Sequence, residues 1–201
     1  MFFRFDWLSM CLVLISFSFS YENNFIYYES GNEYKIKLNH SPEFDQISDG
    51  YTRLAKIGEG HTTQPGMPEL PLFTTYYQLN PNKTYDFHFE VINSYIVEDV
   101  KVLPHQSMDV WEVENVSIIN TDFYDSFDSF PETNLTISER SQGRGIEFVS
   151  INVIPYKYSP KYNKLEVYSE IEIHVIETGE NSDIELVQPK RSHLFDDFYK
   201  D

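Results

Sequence analysis

Residues 165–175, LEVYSEIEIHV, decide the fold class because apolar and polar side chains alternate along them. A period of two is what a β-strand with one buried face requires. Residues 85–91, YDFHFEV, show the same alternation. Residues 146–154 are more uniformly apolar and change phase between Val149 and Ile151, which indicates a central strand or a bulge.

Shorter apolar runs bring the number of predicted strands to at least eight. They cover residues 25–28, 34–38, 72–79, 96–103 and 116–119. Turn sequences rich in Gly, Pro, Asn and Ser separate the runs at intervals typical of sandwiches. A helical pattern is seen only in the tail, at residues 192–200. We therefore predict an all-β fold: an antiparallel β-sandwich with Greek-key or jelly-roll-like connections and a short helical C-terminal tail.

The N-terminal segment is typical of a secretion signal peptide. Arg4 precedes an apolar stretch at residues 7–19, which is shorter than the ~20 residues of a membrane-spanning helix. The small residues Ser18 and Ser20 predict cleavage after Ser20, so we expect residues 1–20 to be the signal peptide. The mature chain would then have no membrane anchor and would be exported to the periplasm or the cell exterior.

Cysteine content and charge narrow the function classes. Cys11 is the only cysteine, so its removal with the signal leaves no disulfide, thiol nucleophile or cysteine metal ligand. The 201 residues include 32 acidic and 15 basic side chains, a net charge of -17. This charge repels phosphate backbones and anionic membranes, so we expect no nucleic-acid partner, whereas a basic protein surface would be favoured.

Catalytic and metal-binding patterns are largely missing from the sequence. The six histidines lack metal-type spacing. Asp122, Asp125 and Asp128 lack the glycine and the closing glutamate of a calcium loop. No serine lies in a nucleophile elbow, and no glycine-rich loop precedes a helix. A carboxylate pair for glycoside hydrolysis stays open, because sequence does not report spatial separation. We expect a non-catalytic domain without cofactor or metal.

Four motifs in a fixed order resemble those of a known family. They are DGYTRL at 49–54, GMPELP at 66–71, VKVLP at 100–104, and RGIEFVSINVIPYKYSPKYNKLEVYSEIEIHV at 144–175. In this order and spacing the chain resembles the propeptides of gingipain-type cysteine peptidases. The resemblance implies a β-sandwich propeptide domain at residues 21–188 and a linker at residues 189–201 toward a catalytic domain.

The resemblance also implies a function and a partner. The chain would be a prodomain that assists folding of a caspase-like cysteine peptidase domain and covers its substrate groove until proteolysis removes it. The partner would act in cis, or in trans if the chain stands alone, and the chain itself would be a monomer. The alternative is a secreted carbohydrate-binding or adhesion module, in which Tyr76, Tyr77, Trp111 and Tyr124 form a stacking platform.

The resemblance places the protease contact in the loop after Pro104. In arginine-specific members a basic side chain of this loop enters the specificity pocket. Residues 105–114, HQSMDVWEVE, contain neither arginine nor lysine, which argues against arginine specificity. We expect the contact to involve Gln106, Met108 or Trp111, with packing of Trp111 on the sandwich edge as the alternative.

Basic residues elsewhere supply further candidates. Arg140 and Arg144 flank a tight turn and could reach a protease cleft, although a turn that sets the register of the next strand explains Arg144 equally well. Lys190 and Arg191 form a dibasic candidate for processing.

The GMPELP motif is expected to have a structural role. Gly66 permits a turn, and Pro68 and Pro71 fix φ and lack N–H donors. We expect an extended entry to the strand at 72–79, at a sheet edge that resists further pairing.

Overall fold

The computed structural model describes residues 25–30, 33–56, 59–106, 116–143 and 146–181. The predicted signal peptide and helical tail lie outside these ranges. In chain order the strands are β1 (Phe25–Ser30), β2 (Glu33–Asn39), β3 (Asp45–Gln46), β4 (Thr52–Arg53), β5 (Gly60–His61), β6 (Pro71–Leu79), β7 (Lys83–Val97), β8 (Leu135–Ile137), β9 (Ser141–Gly143), β10 (Ile146–Val153), β11 (Tyr156–Ser159) and β12 (Lys164–Glu180). The helical elements are short: α1 (Thr121–Tyr124) and two 3-10 turns, Ser48–Gly50 and Pro160–Tyr162. Within the described ranges, no helix has the length and apolarity needed to cross a membrane.

The first sheet is built around β12, the 17-residue strand that contains the stretch LEVYSEIEIHV. One edge of β12 pairs with β7 over nearly its whole length. The other edge of β12 pairs with two strands in succession. β11 pairs with its first part, where Leu165 is opposite Tyr158, and β2 pairs with its later part, where Ile173 is opposite Ile36. β1 lies beyond β2, and all these pairs are antiparallel.

The second sheet is built around β10. β6 pairs with one edge, and β8 and β9 share the other, while β5 lies beyond β6. The register between β10 and β6 is continuous from Glu147 to Val153. The apolar stretch at 146–154 is therefore a regular central strand, and the outward-facing Phe148 and Ile146 account for its apparent phase change.

Two apolar clusters hold the fold together. The first lies between the sheets, where Ile171, Ile173 and Val175 of β12 meet Val149 and Ile151 of β10. The second packs β11 and the first residues of β12 against the connecting segments at 51–70, 97–106 and 120–130. The predicted antiparallel β-sandwich is thus confirmed, with connections that cross between the sheets at 80–82 and 154–155.

Two predicted strands are wrong. The run 96–103 is interrupted because β7 ends at Val97 and Asp99 has a φ of 58°, a left-handed conformation that ends a strand. Residues 116–119 form no strand because the backbone N–H groups of Ser117 and Ile118 bond to the Gln106 side chain. The short strands β3, β4, β5, β8, β9 and β11 are not among the predicted strands.

Candidate functional site

The GMPELP segment pairs along its length with residues 102–105, VLPH. Gly66 N donates to His105 O at 2.8 Å, His105 N donates to Met67 O at 2.8 Å, and Glu69 N donates to Leu103 O at 2.8 Å. Residues 66–71 are all buried. The expectation of a sheet edge that resists pairing is therefore wrong, because Gly66 and Glu69 keep their backbone N–H donors and use them in this pairing.

Two short segments, residues 104–106 and 116–120, flank the candidate contact segment 107–115 in the sequence. We call these two segments the stem. The Gln106 side chain joins its two halves: Nε2 donates to Pro104 O at 2.7 Å and to Ile118 O at 3.1 Å, and Oε1 accepts from Ser117 N at 3.1 Å and Ile118 N at 3.0 Å. With both ends of its amide engaged, Gln106 joins the two halves of the stem.

A buried polar network includes His105 of the stem. Arg53 Nε donates to Glu69 Oε1 at 3.1 Å, and His105 Nδ1 lies 3.2 Å from Glu69 Oε2. All three residues are about 5% exposed. The ring of His61 approaches His105, with centroids 5.4 Å apart. None of the site residues predicted from the sequence belongs to this network, although Arg53 and Glu69 lie inside two of the motifs and His105 follows a third directly.

Arg140 lies far from the stem. Its guanidinium bonds to Glu147 Oε2 at 3.2 Å and to the backbone oxygen of Lys83. Glu147 pairs with Leu79 at the end of β6, whereas the stem lies beside the beginning of β6. The nine residues of β6 span about 26 Å. The structure therefore does not bring Arg140 and Gln106 together.

The remaining predicted site residues lie outside the described ranges. They are Ser20, Met108, Trp111, Arg144, Lys190 and Arg191.

Comparison with known proteins identifies the family. The family model Propeptide_C25 matches residues 41–201. The chain belongs to this propeptide family. Gingipain R2 of Porphyromonas gingivalis, in two strains, is 28% identical over 163 residues, which are 77% of this chain and 22% of the relative. The chain thus spans about a fifth of the length of these relatives.

Solved structures share the fold of the propeptide. A chain in the complex of Porphyromonas gingivalis RgpB pro- and mature domains matches with a TM-score of 0.66 and 20% identity, covering 89% of this chain and 95% of that one. A chain from the work on zymogenic latency of gingipain K of Porphyromonas gingivalis matches with a TM-score of 0.57 and 18% identity, covering 75% and 89%. The chain is a non-catalytic propeptide of the gingipain type, as the motif order predicted.

The propeptide does not assemble the tyrosine platform that a carbohydrate-binding module would need. Tyr76 is 65% exposed on the outer face of β6, but Tyr77 points the other way and packs against the core between the sheets. Tyr124 is held in the second cluster and donates to Val102 O at 3.0 Å. These three rings do not share one surface.

Proposed function

We propose that this propeptide assists folding of a cysteine peptidase domain and keeps it latent by covering its substrate groove. The observation that supports the proposal is the Propeptide_C25 match over residues 41–201. It agrees with the fold match to a chain from a complex of pro- and mature domains. The chain contributes no catalytic group to this role, so its action depends on surface complementarity.

Residues 107–115 are the proposed inhibitory segment, with Met108 and Trp111 as the contact side chains. The stem supports this choice, because a side chain inserted into a peptidase groove binds more tightly when its anchor is ordered before binding. Gln106 acts here as a positioning residue, and the buried network of Arg53, Glu69 and His105 fixes the same stem from the core side. The lack of arginine and lysine in the segment favours a peptidase without basic specificity.

Arg140 is a separate contact candidate at the opposite end of β6, and Arg144 stays a contact candidate predicted from the sequence. The bonds of Arg140 to Glu147 and Lys83 hold it on the sandwich surface. A peptidase domain that covers this end as well would bury a larger interface than the stem alone offers.

The remaining proposals concern processing and compartment. Residues 1–20 would be removed after Ser20 during export, residues 21–188 would form the propeptide domain, and residues 189–201 would link it to the peptidase. Cleavage at Lys190 or Arg191 would release the mature enzyme. The peptidase partner would be caspase-like, bound by a single copy of the propeptide.

An inhibition assay tests the contact segment. The full chain and its Met108→Ala, Trp111→Ala and Gln106→Ala variants would be titrated against the cognate catalytic domain, with Arg140→Ala as the test of the second contact candidate. We expect at least one of the two contact variants to raise the inhibition constant about tenfold or more, at unchanged melting temperature.

The same assay can overturn the assignment. If Met108→Ala and Trp111→Ala both inhibit as well as the parent while Arg140→Ala is weakened, the inhibitory contact lies at the other end of the sandwich. If no variant changes inhibition and the parent does not inhibit at all, the latency function is wrong.

A further inference from the structure

We propose that His61, Glu69 and the stem residue His105 form a binding site for one zinc ion. The three residues come from separate segments: His61 from β5, Glu69 from GMPELP and His105 from the end of VLPH. Each offers one ligand atom, and these atoms all lie within 4.8 Å of one another. The proposal concerns this cluster alone and does not depend on the inhibitory role of the propeptide.

The donor set has the chemistry that zinc prefers. Two imidazole nitrogens and one carboxylate oxygen are a common protein ligand set for zinc, and they leave a fourth position for water. In tetrahedral zinc sites the ligand atoms are separated by about 3.3 Å, given metal–ligand distances near 2.0–2.1 Å. His105 Nδ1 and Glu69 Oε2 already lie 3.2 Å apart, close to this separation.

The surroundings orient the carboxylate. Arg53 Nε binds Glu69 Oε1 at 3.1 Å, which leaves Oε2 directed at His105. Hydrogen bonds of this kind fix the ligands of protein metal sites. The charge of Arg53 also opposes a nearby cation, so we expect affinity in the micromolar range rather than that of a structural zinc finger. A bound ion would cross-link the three segments that hold the stem.

A second cluster provides a matched control. Glu90, Glu172 and His174 lie on the outer face of the first sheet, also with ligand atoms within 4.8 Å. Glu172 there is already engaged by Tyr28 and by Lys35 at 3.4 Å, and the Glu90 side chain is 59% exposed. Removing His174 therefore removes a histidine near carboxylates without touching the buried cluster.

Calorimetric titration of the metal-free full chain with zinc chloride at pH 7.5 tests the site. We expect one equivalent to bind with a micromolar Kd, with binding weakened at least about tenfold in His61→Ala and in His105→Gln and unchanged in His174→Ala. X-ray absorption at the zinc edge should show two imidazole ligands. Far-UV circular dichroism and a melting curve, recorded on the metal-free variants, establish that they are folded.

Three results would overturn the proposal. They are the lack of zinc binding by the parent up to millimolar concentration, retention of binding by a folded His61→Ala variant, and loss of binding only in His174→Ala. Magnesium and calcium serve as comparison ions, because these hard cations prefer oxygen ligands and should not compete at equal concentration.

Discussion

His40 is a largely buried histidine in the sandwich. Its ring packs against Phe73 and Tyr156, with centroids 4.9 and 5.1 Å away, and Nε2 shares a hydrogen bond with the Tyr156 hydroxyl. Burial, with a smaller contribution from the charge of Lys56, lowers the pKa of His40 from 6.5 to about 4. The imidazole is therefore neutral in the folded protein at pH values where the unfolded chain would already be protonated.

Acid should destabilise the fold through His40. Because the unfolded chain binds the proton first, the free energy of unfolding contributed by His40 is intact above pH 6.5 and falls as the pH drops toward 4. Between pH 7.5 and pH 5 we expect the parent to lose about 2 kcal/mol more than a His40→Gln variant. Urea unfolding at the two pH values measures this difference. His88→Gln, on the exposed face of β7, controls for loss of one histidine, and an equal acid loss in parent and His40→Gln would contradict the assignment.

Glu69 and Glu147 allow a comparison of a buried and an exposed ion pair with arginine. The Arg53–Glu69 side chains are 6% and 7% exposed, whereas the Arg140–Glu147 side chains are 30% and 23% exposed. In metal-free buffer Glu69→Gln should cost about 3 kcal/mol, because it takes the negative charge from beside a buried guanidinium. Glu147→Gln should cost less than about 1 kcal/mol. Chemical denaturation measures both, and similar costs would show that burial does not decide the energetics here.

The GMPELP segment depends on the conformation and size of one residue. Gly66 has a φ of +75°, and a Cβ at this position would lie 2.7 Å from Asn120 N and 3.1 Å from Ile119 C. Both neighbours are backbone atoms of the stem, so they cannot rotate away. The turn that begins the segment therefore needs glycine for two independent reasons.

Gly66→Ala and Gly50→Ala separate those two reasons. Gly50 has a φ of +72° but nothing within 4 Å of its virtual Cβ. Gly50→Ala should cost about 1–2 kcal/mol, the cost of a left-handed alanine alone. Gly66→Ala should cost at least about 1 kcal/mol more, because the stem must shift as well. Thermal or urea unfolding checks the difference, and equal costs would mean that the stem moves freely.

The strands were predictable from the sequence wherever one face is buried and the other is exposed to solvent. β7 and β12 show this period directly, whereas β11 is short and lies among prolines, so its pairing depends on β12 rather than on its own pattern. The site was less predictable. Arg53, Glu69 and His105 lie in or beside three motifs separated by up to 52 residues, and alternation within a strand carries no information about which motifs meet. The network gives the order of these three motifs a physical basis, because DGYTRL contains Arg53, GMPELP contains Glu69 and VKVLP directly precedes His105.

At the scale of the whole molecule, one strand joins both apolar clusters. Leu165 and Val167 of β12 lie in the cluster beneath the connecting segments, and Ile171, Ile173 and Val175 lie in the cluster between the sheets. β7 pairs with β12 along both regions. If β12 separates from one cluster, its pairing with β7 is disturbed, and the same pairing supports the other cluster. The connecting segments of the second cluster, which continue into the stem, are therefore coupled to the sandwich core through β12.

Leu165→Ala and Ile173→Ala test this coupling. Both side chains are fully buried, one in each cluster, so each variant should lose about 2–5 kcal/mol of unfolding free energy. If β12 makes the molecule one cooperative unit, each variant should shift a single transition, with the same midpoint by tyrosine fluorescence and far-UV circular dichroism and an unchanged m-value. Ile146→Ala, at a side chain that is 41% exposed on β10, is the control and should cost less than either. A second, earlier transition confined to Leu165→Ala would show instead that the second cluster unfolds on its own, separately from the sandwich core.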